Sequence, residues 1–189
     1  LWPKPQLEEQ HERTLFRMPV AVDVVCGALG IVAFAVVVYA GFAGTEAATS
    51  NLEPTVIYVL FWVGLPVVSL IFGDVFRAFN PWRAFGRGAG WIMGRAVGDG
   101  PEPVPYPDRL GYWPAAAGIF GFAVLELAIP VTDRTDPSTL AILSLVYAAV
   151  QLVGMALFGV KAWCDRGDAF GVYFGLFATL SPLRWTGRQ

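Results

Sequence analysis

Residues 24–45 read VVCGALGIVAFAVVVYAGFAGT and contain no charged side chain. At about 1.5 Å of rise per residue, a helix of this length crosses the roughly 30 Å hydrocarbon core of a bilayer. Residues 54–73 and 137–160 are two further uncharged runs of similar length. Three such runs predict a polytopic membrane protein and exclude a soluble enzyme domain, a disordered chain and a nucleic-acid-binding protein.

The bulk composition agrees with this prediction. Of the 189 residues, 15% are charged and 56% are apolar, whereas about 25% of a typical soluble domain is charged. Two cysteines exclude a disulfide scaffold and a single histidine excludes a histidine-based metal cluster. We therefore predict no metal and no cofactor. The expected partners are the lipid bilayer and either further helices of a longer chain or other copies in an oligomer.

The predicted fold is an all-α bundle of four transmembrane helices, arranged as two tandem hairpin repeats with additional interfacial helices. The four spans are expected at residues 20–42, 54–73, 112–131 and 138–160. Gly64 and Pro66 predict a kink in the second span. The last apolar run, 169–183, is short for a span and is either a re-entrant or interfacial segment or a fifth helix.

The chain divides into four predicted parts. Residues 1–18 form a cytoplasmic or interfacial amphipathic segment, the alternative being a mobile terminus. Residues 19–98 form the first two-span repeat with its boundary helix. Prolines define 99–111 as an extended cytoplasmic linker. Residues 112–189 form the second two-span repeat with its boundary or re-entrant segment.

An internal repeat is suggested by residues 30–40, GIVAFAVVVYA, and 118–128, GIFGFAVLELA. Six of the eleven positions are identical at an offset of 88. The alternative is chance similarity, because membrane helices use few residue types. If the duplication is real, the halves are parallel repeats related by an axis along the membrane normal, as in some transporters.

Basic residues near the span ends predict the orientation, because Lys and Arg next to spans stay in the cytoplasm. Ten of them fall on one predicted side, and Arg134 alone falls on the other. The N terminus is therefore expected in the cytoplasm. The ten basic residues are Lys4, Arg13, Arg17, Arg77, Arg83, Arg87, Arg95, Arg109, Lys161 and Arg166.

Asn80-Pro81 predicts the start of a new helix, with Asn80 as its N-cap and Pro81 at its first position. Glycine recurs every fourth residue along this helix, which makes a smooth face suited to close helix packing. The alternative is coincidence, because the chain has 21 glycines. The candidate packing residues are Gly86, Gly90, Gly94 and Gly98.

Glu126 is the main intramembrane candidate, because it lies well inside the predicted third span. A carboxyl group at such a depth usually faces a cavity or a partner and could carry a proton. The alternative is a glutamate that reaches the nearby outer interface. Glu53 is expected in the polar loop after the first span.

A second candidate site is a polar cluster at the cytoplasmic boundary, which could bind an anionic substrate or headgroup through its arginines. Ordinary ion pairing of boundary helices is the alternative. In the fourth span, Tyr147 and Gln151 are expected to hydrogen-bond to neighbouring helices or to line a path. The predicted cluster consists of Asp23, Asp74, Arg77, Arg83, Asp165, Arg166 and Asp168.

Three segments carry a resemblance to a known group: GDVFRAFNPWRAF (73–85), YPDRLGYWPAAAG (106–118) and GDAFGVYFGLFATLSPL (167–183). They resemble bacterial polytopic membrane proteins, common in actinobacteria, that are often labelled fenitrothion hydrolase. The resemblance covers most of the chain, which looks like part of a longer member. It implies a location in the bacterial plasma membrane and the hydrolysis of an organophosphate ester.

Three functions are compatible with these observations. The repeat, the kinked second span and Glu126 favour part of a small-molecule transporter or permease. The resemblance favours a membrane-bound hydrolase, although no nucleophile elbow or zinc-binding helix motif is present in the sequence. The glycine face favours a helix-packing assembly subunit. We expect the first of these, and whether the protein is an enzyme stays open.

Overall fold

The computed structural model describes residues 19–96, 98 and 102–183, and the regular secondary structure of this part is helical throughout. The amphipathic segment predicted within 1–18 and the predicted end of the last apolar run at Arg184 lie outside the described residues. The helices are α1 (Val20–Ala43), α2 (Leu52–Phe72), α3 (Val75–Phe79), α4 (Pro81–Ala96), α5 (Trp113–Ala128), α6 (Val131–Arg134), α7 (Pro137–Phe158), α8 (Val160–Arg166) and α9 (Ala169–Ala178).

Three of these helices, α1, α2 and α7, are long and apolar enough to cross a membrane. They match the predicted first, second and fourth spans within about two residues at each end. In α1 and α2, only 11% of the most apolar 18-residue window is buried inside the protein. Such continuous exposed apolar surface is rare in soluble monomers and is compatible with contact with lipid.

The predicted third span is shorter than expected. We predicted 20 residues over 112–131, but α5 has 16 residues, or about 24 Å of helix. The backbone becomes extended at Ile129, and the following Pro130 has no N–H to continue the helix. The described part of the chain therefore shows three helices of crossing length, and the fourth predicted span is not among them.

Next to the kink predicted at Gly64 and Pro66, α2 contains a stretch of π-helix, which is wider than an α-helix. Residues Thr55–Gly64 are wound as a π-helix, and the N–H of Leu65 donates to the carbonyl oxygen of Leu60, five residues earlier. Pro66 explains why normal winding fails here, since it lacks an N–H and its ring would clash with the carbonyl four residues before it. Long π-helices are rare and often mark functional segments.

The helix beginning at Pro81 lies alongside α1, not across its end as a boundary helix would. Gly30 of α1 packs directly against the carbonyl group of Phe79, and an added Cβ at Gly27 would be 2.6 Å from that of Ala84. The two helices therefore run antiparallel. Because Gly30 is about 15 Å along α1 from Val20, the turn before α4 lies near the middle of α1.

The helix α9 also begins inside the protein. An added Cβ at Gly118 of α5 would lie 2.7 Å from the Cβ of Ala169, the first residue of α9. Beyond its other end, Ser181 Oγ donates to the carbonyl oxygen of Ile71, near the end of α2. α9 thus runs from the middle of the bundle to one end. Its aromatic side chains pack there against Phe61 and Phe76.

Candidate functional site

The candidate site lies where α4 and α9 begin. Asn80 immediately precedes α4 and its Oδ1 accepts a hydrogen bond from the backbone N–H of Arg83, 3.0 Å away, which confirms the predicted N-cap. Asp168 holds the matching position before α9, and both residues have extended backbone. Two short helices therefore present their N-terminal ends to each other inside the bundle.

The two cap residues are hydrogen-bonded to each other and to α7. Asn80 Nδ2 donates to Asp168 Oδ2 over 2.7 Å, and the Tyr147 hydroxyl donates to Asp168 Oδ1 over 2.6 Å. The side chains of Asn80 and Asp168 are 2% and 0% exposed. Tyr147 is the eleventh of the 22 residues of α7, so this Asn80–Asp168–Tyr147 network lies midway along a helix of crossing length.

The network is a buried carboxyl group held by donors. Removing a carboxylate from water is costly unless hydrogen bonds or charges replace the lost hydration. Asn80 and Tyr147 supply two such bonds, and the positive charge of Arg83 acts on Asp168 as well. The Tyr147 oxygen in turn accepts the backbone N–H of Phe170. These hydrogen bonds fix the orientations of the three side chains. The predicted hydrogen bonding of Tyr147 to another helix is confirmed.

The predicted polar cluster is only partly assembled around this network. Asp165 accepts from Arg83 over 2.5 Å and from Arg77 over 3.4 Å. Asp74 caps α3 and accepts from the Arg77 N–H. Burial raises the pKa of Asp74, while the hydrogen bond from Arg77 and the nearby arginines oppose that rise. Asp165 therefore shares its single negative charge between the two arginines, and the side chain of Arg77 remains 47% exposed.

Two members of the predicted cluster pair with residues outside it. Asp23 pairs with Arg87 of α4 over 2.6 Å. Arg166 pairs with Asp108 over 3.6 Å and lies 5.5 Å from the centre of the Tyr106 ring. The sequence alone could not separate these pairs, because all of these residues fall in similar places relative to the ends of the predicted spans.

One groove opens beside the cluster, with a volume of about 670 Å³. We call it the Asp165 groove. Its charged lining comes from Asp165, Asp108, Lys161 and Arg166, and the rest of its wall is largely apolar. Because Asp165 also bonds the buried Arg83, the wall of this groove connects directly to the side chains next to the network.

A second groove, of about 440 Å³, lies toward the other end of the bundle. Its polar lining includes Glu126, Tyr58 and Arg134 together with three threonines, and we call it the Glu126 groove. Glu126 is half-buried and lies two residues before the end of α5. It therefore lies at the mouth of a groove, near the end of a helix that is shorter than the predicted third span.

A continuous series of packed side chains joins the two grooves. Tyr58 of the Glu126 groove meets Phe122, whose ring centre is 5.4 Å from that of Phe170. Phe170 packs against Tyr147 of the network. From the network, Asn80 caps Arg83, which pairs with Asp165 in the other groove. The buried network thus stands between two openings at opposite ends of the protein.

The predicted glycine face is used unevenly. An added Cβ at Gly86 would come within 2.7 Å of Val160 and 3.0 Å of the Met155 sulfur, whereas at Gly90 and Gly94 it would meet nothing within 4 Å. Gly98 lies beyond the end of α4 at a φ of +85°. Within the described residues, only the first of the four glycines serves close packing.

The location predicted for Glu53 is wrong. Glu53 was expected in a polar loop, but it is the second residue of α2 and is 0% exposed. Asn51 explains why the helix starts earlier than predicted, since its Oδ1 accepts the Glu53 N–H over 2.9 Å. Its amide also donates to the carbonyl oxygens of Ala40 and Thr45, which ties the start of α2 to the end of α1. An Asn two residues before Glu53 was the available signal.

Among the described residues, no group of three His, Cys, Asp or Glu side chains is arranged to hold a metal ion. Comparison with protein-family models, with curated proteins and with solved structures finds no match for this chain. A function for the protein therefore has to be inferred from the Asn80–Asp168–Tyr147 network and the two grooves that it separates.

Proposed function

We propose that this chain is part of an integral membrane permease for a small molecule, with the Asn80–Asp168–Tyr147 network at the centre of its path. The supporting observation is the placement of that network between the Asp165 groove and the Glu126 groove. Broken helices with polar caps at mid-depth are characteristic of transporter sites, because irregular backbone is tolerated there only inside protein or beside a cavity.

The proposal includes four membrane-crossing segments in two repeats, with the short α5 as the third. Asn80 and Asp168 are 88 residues apart, the same offset that relates the two similar segments in the sequence. Gly30 and Gly118 share this offset, and each lies against the start of another helix, α4 or α9. These correspondences support a duplicated unit of two spans followed by a re-entrant helix.

The proposed orientation places the N terminus and the Asp165 groove in the cytoplasm. Arg83 is buried and paired with Asp165, so we do not count it among the basic residues that indicate which side of the membrane is cytoplasmic. Nine basic residues then remain on the cytoplasmic side against Arg134 on the other, which still satisfies the positive-inside rule. A bacterial plasma membrane is the proposed location.

The orientation predicts opposite accessibility of two engineered thiols. Val104→Cys, in the exposed linker, should react with a membrane-impermeant maleimide only from the cytoplasmic side. Thr45→Cys, between α1 and α2, is the matched position and should react only from outside. The measurement is labelling of intact cells and of inverted vesicles. Labelling of both positions from the same side would contradict the topology.

Transport itself is testable with the purified chain in liposomes. We expect uptake of at least one member of a panel of small solutes above that of protein-free liposomes. For a cationic solute, Glu126→Gln should lower the initial rate by roughly threefold to tenfold, because a negative charge at a groove mouth raises the local concentration of cations. Glu102→Gln, in the exposed linker, is the control and should leave the rate unchanged. Hydrolysis of an organophosphate ester without uptake of any solute would favour a hydrolase instead.

A further inference from the structure

Glu53 is completely buried, and its carboxyl group has no hydrogen-bond partner in the part of the chain that the structure describes. Its residue is 0% exposed, and neither Oε1 nor Oε2 has a hydrogen-bond partner among the described residues. Native proteins pair nearly all their buried polar atoms. An unpaired buried carboxyl group therefore calls for an explanation, and the Asn80–Asp168–Tyr147 network does not use it.

The carboxyl group points into the contact between α1 and α7. It lies against Gly41 of α1, where an added Cβ would collide with Oε2 and would come within 2.8 Å of the Cβ of Ala141 on α7. The absence of a side chain at Gly41 thus creates the space for Glu53. Glu53 fills the junction of three helices of crossing length.

The surroundings favour the neutral form of this group. An ionised carboxylate without partners in such a place costs several kcal/mol, while a protonated acid costs much less. Asp136, just before α7, adds repulsion, since its negative charge reaches Glu53. Hydrogen bonds from Thr139 and Ser138 lower the pKa of Asp136 and keep it charged. The other titratable side chains at this end of α1, Tyr39 and Glu46, are exposed.

The Glu126 groove begins at the residues that follow Glu53 in the chain. Pro54 and Thr55, the two residues after Glu53, line the Glu126 groove. A small displacement of the start of α2 would bring the carboxyl group to the water of that groove. Loss of the proton would then leave a charge that the junction cannot accommodate, so that deprotonation would separate α1 from α7.

We propose that Glu53 is a proton-binding site that couples proton entry from the Glu126 groove to the packing of α1 against α7. Water in the groove supplies the proton, which binds to the carboxylate without any other bond being made or broken. In the permease, this coupling would let a proton gradient drive solute uptake. That last step rests on the proposed function, whereas the proton site itself does not.

The first test measures stability against pH, independently of transport. The melting temperature of the purified wild-type protein should be highest in acid and should fall as the pH rises through the range in which Glu53 loses its proton. Glu53→Gln keeps the shape of the neutral acid and should remove this fall, while Glu102→Gln should retain it. Asp136→Asn removes the repulsion and favours the ionised group in the folded protein, so the fall should be smaller and should end at lower pH. A wild-type pH profile in Glu53→Gln would overturn the proposal.

The second test uses liposomes with an imposed proton gradient. Wild-type protein should accumulate its solute when the outside is acidic, and Glu53→Gln should keep downhill exchange but lose accumulation by at least tenfold. If neither the wild type nor Glu53→Gln transports any solute, but their pH profiles differ as expected, the proton site is supported and the permease function is contradicted. If added sodium ions restore the melting temperature at alkaline pH, Glu53 binds a metal cation and the proposal is wrong.

Discussion

Replacing Gly30 by alanine should weaken the packing of α4 against α1 and destabilise the protein. A Cβ at this position would overlap the carbonyl group of Phe79, and a backbone atom cannot rotate away as a side chain can. Overpacking of a closely packed interior costs about 1–3 kcal/mol and sometimes more, and we expect the upper end here. The measurement is the yield and the melting temperature of the detergent-purified protein.

The chain offers a matched control for this substitution. Gly121 lies in the helix α5, and a Cβ added there would meet nothing within 4 Å. Gly121→Ala should therefore be neutral or stabilising, since alanine is favoured over glycine in a helix by about 1 kcal/mol. Equal melting temperatures of the two alanine variants would show that α4 does not press against α1 at Gly30.

Removing the carboxyl group of Asp168 should have the second large effect. Asp168→Ala would leave the Asn80 amide and the Tyr147 hydroxyl without their partner inside the protein. Each buried polar group that loses its hydrogen bond costs about 1–3 kcal/mol. We expect a total loss of about 2–5 kcal/mol in the free energy of unfolding, measured by denaturation in detergent.

A double-mutant cycle separates the network from a general weakening of the fold. Asp168→Asn and Tyr147→Phe each remove part of the same hydrogen bond, so their combined effect should be smaller than the sum of the two. A coupling energy of about 1–2 kcal/mol is expected for such close partners. Additive effects would mean that the Tyr147 hydroxyl contributes nothing to holding Asp168.

Solute uptake distinguishes a functional network from a structural one. Asp168→Asn preserves the shape of the side chain and its capacity to cap α9. If the network lies on the solute path, uptake in liposomes should fall at least tenfold even where the variant stays folded. Full uptake by a folded Asp168→Asn protein would leave the permease proposal without its central residue.

The helical class and the three long apolar helices could be predicted because they follow from local composition. An uncharged run of about 20 residues can satisfy its backbone in a bilayer only as a helix or a closed barrel, and residues 24–45 show such a run directly. The cap at Asn80 was predictable for the same reason, because capping depends on the next three residues alone. Pro66 likewise indicated where the winding of α2 would change.

The candidate site could be predicted only in part. The predicted cluster included Asp168 and Arg83, but their positions beside the predicted spans suggested a boundary location. The structure brings Asp168 to Tyr147 and Asn80, which are 21 and 88 residues away along the chain. No local sequence pattern indicates that Asn80 and Asp168 will be in contact, because this contact depends on how α4 and α9 turn back into the bundle.

Glu53 shows the same limit most clearly. By its sequence it is an acid beside a span, and such residues are usually solvated. Its burial follows from the absence of a side chain at Gly41 and from the approach of Ala141, which belong to two other helices. The sequence by itself therefore determined which segments are apolar helices, because hydration and backbone bonding act over neighbouring residues. Only the tertiary structure decided which polar groups those helices enclose, because burial depends on contacts between segments distant in the chain.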